Sequence, residues 1–330
     1  MEKIKIAILG CNYMGKMHAD CYRMMENVQV VAVADLNEEV AASVAEPWGA
    51  KVFQNAAELI EKTELDALDI CLPTFLHTKF ALQAMGKVPY IFIEKPVALS
   101  LEDCELLLTK QKETGAKVQI GHVIRFWDEY MYLKTIVEEK SYGEVVNATF
   151  RRVSPSPTWS TNNWRQDNKL CGGAVVDLHI HDIDYMLYLF GQPQKSCCIK
   201  NQKGEPNSYI TTICQYEGFA VSVEGTWYLP ASYPFEMYYR VVFEKAVVEF
   251  KQGHVTVFDE NGSREVNISK KEVRSGSFSE GNISELGGYY NELKYFVDCI
   301  RSQAKIQQAT LSEATQSLSF ILDRLQENSL

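Results

Sequence analysis

Apolar positions along this chain recur in two rhythms, one on either side of Gly121. Up to Ile120, short apolar runs alternate with stretches whose apolar residues return every three or four positions. The runs read as buried strands at Ile4–Leu9, Val28–Ala34, Lys51–Phe53, Ala67–Leu72, Tyr90–Ile93 and Lys117–Ile120. Helices are expected between them: one from the Gly10 turn to Asn27, then Glu38–Ala45, Ala56–Lys62, His77–Met85 and Leu101–Thr114. Ser100 and Asp103 form a capping box for the last of these. Strands separated by helices in this order build a parallel, doubly wound sheet, with ligands beyond the carboxyl ends of its strands.

From Gly121 the pattern shifts. A helix is expected over Trp127–Lys140 and a long strand over Glu144–Val153, followed by a loop rich in Ser, Pro, Thr and Trp. Gly172 to Gly191 reads as one buried helix, with Val176, Ile180, Ile183 and Leu187 on one stripe and Asp177, His181 and Asp184 on another. Six closely spaced strand-like runs follow: Lys195–Lys200, Ser208–Tyr216, Ala220–Trp227, Glu236–Phe243, Ala246–Phe250 and Val255–Phe258. They predict a largely antiparallel sheet. A mobile loop is expected over Lys270–Asn282, and two helices, Ser284–Arg301 and Leu311–Gln326, end the chain. The fold class is α/β with two domains, 1–121 and 122–330, and the last helix could pack back on the first.

Composition narrows the function. The 330 residues are 46% hydrophobic and 23% charged, as in an ordinary globular protein. A net charge of -10 leaves no excess of Lys and Arg to neutralise phosphates, so no nucleic-acid partner is expected. The apolar runs are too short for a bilayer and no basic-then-apolar leader opens the chain, so neither membrane insertion nor secretion is expected. Nine scattered cysteines without a C-x-x-C pair fit the reducing cytoplasm.

Gly10-Cys11-Asn12-Tyr13-Met14-Gly15 lies between a strand and a helix, and Asp35 ends the next strand 20 positions after Gly15. That spacing belongs to dinucleotide sites, where the helix start faces the pyrophosphate and the acid binds ribose hydroxyls. Gly10, Asn12, Tyr13, Met14, Gly15 and Asp35 are therefore cofactor-binding candidates, although Asn12 replaces the middle glycine and Asp35 could instead cap the next helix. The acid, with no arginine nearby, favours NAD over NADP. Pro73, Thr74 and His77 lie at one strand end and Glu94-Lys95-Pro96 at the next. Lys95 could thus reach cofactor and substrate, or be a solvated surface lysine. An aspartate one turn before His181 suits a general base, or simply a satisfied core histidine. Metal binding by His179 and His181 is disfavoured, because residues two apart on a helix diverge.

These motifs, in this order, resemble the Gfo/Idh/MocA family of glucose–fructose oxidoreductase and inositol 2-dehydrogenase. The resemblance rests on Gly10-x-Asn12-x-x-Gly15 with His18-Ala19, Asp35, Pro73 with His77, and Glu94-Lys95-Pro96. It continues in Gly121 with Arg125-Phe126, Trp164-Arg165-x-Asp167 and Gly172-Gly173-x-x-x-Asp177-x-x-x-His181-Asp182-x-Asp184. It implies an N-terminal Rossmann domain and a C-terminal α/β domain whose open sheet mediates homodimers or homotetramers. It also implies NAD(P)-dependent oxidation of a ring hydroxyl on a sugar or an inositol-like polyol. Lys95, in a Lys-Pro peptide that is often cis, would polarise the oxygen; His181 would accept the proton and Asp177 would orient it. Arg125, Trp164, Arg165, Asp184 and a tyrosine at 238 or 239, Tyr239 foremost, would contribute to substrate binding. Small residues are more usual in relatives where this chain has His179. Two other activities occur among such proteins: an NAD-dependent glycosidase and a non-enzymatic sensor of cofactor or sugar.

Overall fold

The computed structural model describes residues 2–158, 160–201, 208–268 and 287–327. The loop expected over Lys270–Asn282 lies outside them. Two units emerge, one of Met1–Val123 with Glu272–Thr315, the other of Ile124–Lys271 with Gln316–Leu330.

The first unit is built on a six-stranded parallel sheet of β1 (Ile4–Leu9), β2 (Val28–Ala34), β3 (Lys51–Phe53), β4 (Ala67–Ile70), β5 (Tyr90–Ile93) and β6 (Lys117–Ile120). Its order is β3-β2-β1-β4-β5-β6, so the chain reverses direction across the sheet between β1 and β4. The connecting helices are α1 (Tyr13–Arg23), α2 (Glu38–Ala45), α3 (Ala56–Lys62), α4 (His77–Ala84) and α5 (Leu101–Thr114). Their starts follow the sequence signals: Asn37, Asn55 and Ser100 each cap backbone N–H groups of the helix they precede. The central strands are buried on both faces, which is why β1, β4 and β5 read as near-continuous apolar runs.

In the second unit, α6 (Asp128–Glu138) precedes the long β7 (Val145–Pro155). After α7 (Asn168–Cys171) and α8 (Ile180–Phe190) come β8 (Lys195–Asn201), β9 (Tyr209–Gln215), β10 (Ala220–Leu229), β11 (Glu236–Phe243), β12 (Ala246–Lys251), β13 (His254–Asp259) and β14 (Gly262–Glu265). These eight strands form one sheet in the order β14-β13-β12-β11-β7-β10-β9-β8. Every pairing is antiparallel except β10 with β7. One face buries Phe150, Tyr239 and Phe250 around Tyr130 and Tyr185, at edge-to-face and stacked separations of 4.8 to 6.4 Å. Strand β14 is exposed along its length and carries no apolar signal, so periodicity does not reveal it.

Back in the first unit, α9 (Gly287–Arg301) lays Phe296 against Phe92 and Tyr90 of β5. Helix α10 (Leu311–Glu327) ends the described chain.

The single helix expected from Gly172 to Gly191 is broken. Gly172 (φ +74) ends α7 in the left-handed conformation, and Gly173 is also at positive φ. Ala174–Leu178 then forms a π turn, closed by the His179 N–H donating to the Ala174 carbonyl at 2.9 Å, before α8 begins. A side chain at Gly172 would come within 2.5 Å of Val176, so the turn can close only over a glycine. The widened turn shifts the phase of the side chains. The regular helical spacing behind the expected stripe of Asp177, His181 and Asp184 is thus interrupted, and Asp177 and Asp184 contact arginines from different segments, Arg165 and Arg125.

Candidate active site

The start of α1 packs against the sheet with almost no clearance. A Cβ on Gly10 (φ +86) would meet the Cys71 carbonyl at 2.6 Å, and one on Gly15 would lie 1.8 Å from the Gly10 carbonyl. Both glycines are thus required by close approach. Position 12 is different: Asn12 has φ −73, which any residue adopts, so no glycine is needed there for the backbone. Its side chain is exposed, makes no cap bond to α1, and places Nδ2 3.4 Å from Asp35 Oδ2. That same Asp35 oxygen accepts the Cys11 N–H at 2.8 Å, while Oδ1 accepts the Asn37 N–H at 2.9 Å. Asp35 is therefore braced against the phosphate-type turn. The next residue, Leu36, is 91% exposed and uncharged, and the Asn37 side chain caps α2. This cradle fits a dinucleotide: a glycine-lined helix start for pyrophosphate and a braced carboxylate for ribose hydroxyls, followed by the uncharged Leu36 and Asn37. Tyr13 and Met14 in the first turn of α1 are half-buried.

At the neighbouring strand ends, Thr74 is buried in a short 3-10 turn after Pro73. His77 is wholly buried, with Nδ1 2.9 Å from the Pro96 carbonyl and Nε2 2.7 Å from the Leu72 carbonyl. Burial pulls its pKa down, against the pull of these two carbonyls. Both ring nitrogens lie within hydrogen-bond distance of backbone carbonyls, so His77 ties the 72–74 turn to the Lys95-Pro96 corner. The Lys95-Pro96 bond is cis, and Lys95 is part-buried. Beside it, Glu94 is 6% exposed and accepts the Lys95 N–H on Oε2 at 3.1 Å.

In the second unit, Asp177 sits in the π turn, 5% exposed, with Oδ2 3.4 Å from Arg165 Nε in an ion-pair contact. Arg165 lies over the ring of Trp164, which packs on Cys171, Ala174, Leu178 and Trp227. His181 is half-buried at the start of α8. Arg165, Trp164 and Asp177 thus form one constellation.

The other residues expected to bind substrate are used differently. Arg125 (3% exposed) makes a two-pronged bond to Asp184 (0%), with Nε and Nη2 each at 2.7 Å, and Ser317 donates to the same carboxylate at 2.9 Å. Asp182 pairs likewise with Arg152. Tyr239 is fully buried and donates its hydroxyl to the Glu129 carbonyl at 2.8 Å. It is a core residue because it occupies an inward position of β11; its neighbour Tyr238 faces the other way and bonds Glu249. Arg125 and Asp184 are thus bound to each other, and Tyr239 lies in the core of the domain.

His179 is also structural: its Nε2 lies 2.9 Å from Thr212 Oγ1, and burial lowers its pKa to about 3. Sequence reasoning overlooked a buried cluster of His18, Tyr22, Asp69 and Cys71. The available signal was a lone acid, Asp69, within an otherwise apolar strand. Among the described residues, His18, Asp69 and Cys71 are the one group whose potential ligand atoms all lie within 4.8 Å of one another. They stand at hydrogen-bond separations of 2.8 to 3.3 Å and bond each other directly, so they leave no place for an ion. All nine cysteines are thiols, and no helix among the described residues is long and apolar enough to cross a membrane.

Residues 4–122 match the model of an oxidoreductase family with an NAD-binding Rossmann fold, and 130–249 match the GFO/IDH/MocA C-terminal domain. A Bacillus subtilis glucose-6-phosphate 3-dehydrogenase is 31% identical over 56% of this chain and 53% of its own length. The chain spans about half the length of several such curated relatives. The scyllo-inositol 2-dehydrogenase (NAD(+)) of the same organism is 27% identical over 91% of this chain and 87% of that protein. In fold, the chain is similar to an Agrobacterium radiobacter oxidoreductase solved with NAD+, L-tartaric acid and magnesium. The TM-score is 0.85 at 16% identity, covering 99% of this chain and 97% of that one.

Proposed function

The chain belongs to the Gfo/Idh/MocA oxidoreductase family and carries its NAD-binding Rossmann domain, and from this we propose that it is an NAD-dependent dehydrogenase of a ring hydroxyl on a polyol or sugar. The observation that carries the cofactor half of this reading is Asp35, braced by Cys11 and Asn37 beside a glycine-lined helix start. Gly10, Asn12, Tyr13, Met14 and Gly15 would hold the pyrophosphate side, Asp35 the ribose, and Pro73, Thr74, Glu94 and Lys95 the nicotinamide side. Bound NAD supplies the two-electron chemistry.

The residues of the chain supply placement and proton handling. Lys95 polarises the reacting oxygen with its ammonium, which stabilises charge developing there. His181 takes the hydroxyl proton on its imidazole as general base. Asp177 orients that ring and favours its protonated form, while Arg165 holds the carboxylate of Asp177 in place and, with Trp164, faces the substrate. An inositol-like polyol is the first substrate to try, in line with the name of the relative that aligns along most of the chain. The protein works in the cytoplasm as a homodimer or homotetramer.

The test is turnover on a panel of cyclitols and aldoses with NAD. On a substrate so found, His181→Ala and Lys95→Met should each lower kcat by about a hundredfold or more. Unchanged turnover in both variants would refute the assignment.

A further inference from the structure

One charged cluster in the first unit contains two groups, His18 and Asp69, that the mechanism above does not use, and it reaches the nicotinamide side through Glu94. His18 stands on α1 three residues after Gly15, Asp69 on β4, and Glu94 just past the end of β5, next to Lys95. The His18 ring is fully buried. Its Nδ1 lies 2.8 Å from Asp69 Oδ2, and its Nε2 lies 3.2 Å from Glu94 Oε1 as an ion-pair contact. Tyr22 donates to the same Asp69 oxygen at 2.9 Å, and Cys71 Sγ sits 3.2 Å from Nδ1. Tyr289 of α9 packs its ring 6.4 Å from the imidazole, and Phe92 of β5 packs at 5.3 Å.

Nδ1 is hydrogen-bonded to Asp69 and Nε2 stands in ion-pair contact with Glu94, so a neutral imidazole would turn a lone pair towards one carboxylate, whereas the cation presents an N–H and its charge to both. Burial is the largest single influence and works against that charge, but Asp69 and Cys71 together outweigh it and keep the ring well above the ordinary histidine pKa. The grip continues outward. Glu94 uses its second oxygen, Oε2, to accept the Lys95 backbone N–H at 3.1 Å. Gly121 leaves room for this carboxylate, since a Cβ there would lie 3.0 Å from Oε1.

We propose that His18 is a positioning residue: an imidazolium clamped between Asp69 and Glu94 that fixes the Glu94 carboxylate and, through it, the backbone that presents the Lys95 ammonium. The dinucleotide helix, β4 and the catalytic corner after β5 are thereby tied at one buried charge. The inference rests on the role given to Lys95 above, and its test separates the two.

Nitrogen-15 NMR of the histidine rings in the full chain reads the clamp without any turnover. Both His18 nitrogens should remain protonated well above the pH at which an ordinary histidine loses its proton. A neutral His18 tautomer at neutral pH would overturn the proposal while leaving the dehydrogenase reading intact. The second arm compares the Lys95 acetylation rate, mapped by mass spectrometry, in the wild type, His18→Gln and Glu94→Gln. Both variants should change that rate severalfold; an unchanged rate overturns the clamp even if no substrate is ever found.

Where turnover is measurable, each variant should lower kcat by about tenfold, and His18→Gln should do so with KM for NAD nearly constant. The double variant should be no worse than the worse single, as expected for residues acting in series. Multiplying losses, or a His18→Gln kcat equal to that of the wild type, would contradict it. If His18→Gln fails to fold, Glu94→Gln and the wild-type spectrum still decide.

Discussion

A missing methyl group decides the state of His179. A Cβ on Gly225 of β10 would lie 2.7 Å from its Nδ1 and 3.0 Å from its Cβ, so the ring fits only against glycine. Gly225→Ala should therefore cost about 1–3 kcal/mol in urea unfolding, by overpacking. A cost near zero would mean the ring can move aside. His179 also makes stability depend on pH. Its pKa falls from about 6.5 unfolded to about 3 folded, so the native state binds less proton across that window. Stability is full above about pH 6.5 and declines as pH falls towards 3, by up to about 1.4 kcal/mol per pH unit from this group. His179→Asn should flatten that decline in denaturant melts taken between pH 4 and 7.

Arg125 is singled out by the family resemblance and Asp184 also by its place on the expected helix stripe, but not as partners of each other. Periodicity reports which face a residue occupies, never which distant side chain meets it. Their buried two-pronged bond predicts that Arg125→Met strands the Asp184 carboxylate and costs about 3–5 kcal/mol. A stable variant with weakened substrate binding would return Arg125 to the substrate wall. The same blindness hid Asp69, whose partner His18 lies 51 positions away.

At the scale of elements, the parallel sheet and its helices were readable because the central strands are buried on both faces and apolar runs alternate with helical spacing. Ser100 caps α5 where the sequence places it, whereas Asn37 and Asn55 are caps that periodicity does not single out. The stretch from Gly172 was misread because its apolar spacing is helical while its backbone is set by Gly172 and Gly173 at positive φ. Glycine conformation is not encoded in a hydropathy pattern. Gly15 is the clearer test of an element built on close approach. With its Cβ 1.8 Å from the Gly10 carbonyl, Gly15→Ala must push α1 off the sheet. It should weaken NADH binding by more than about tenfold and lower stability by about 1–3 kcal/mol or more. Wild-type binding in that variant would remove the pyrophosphate role from this turn.

For the whole molecule, no helix among the described residues covers one face of the second sheet, where apolar side chains are exposed. The strand registers put Ile199, Ile213, Tyr228 and Phe258 on that face, all of them 43% or more exposed. Such a surface fits the homo-oligomer inferred from the family. Ile199→Lys with Ile213→Lys should shift the species seen by light scattering towards monomer while leaving the circular dichroism spectrum unchanged. A monomeric wild type would contradict that assembly.

The account turns on the first unit binding NAD through Asp35, and nucleotide-stripped protein titrated in parallel with NADH and NADPH, followed by nicotinamide fluorescence, tests this most directly. Saturable NADH binding at micromolar or tighter affinity is expected, with NADPH weaker by about tenfold or more because a carboxylate repels a 2'-phosphate. Equal or tighter binding of NADPH, or no saturable binding of either, would contradict it.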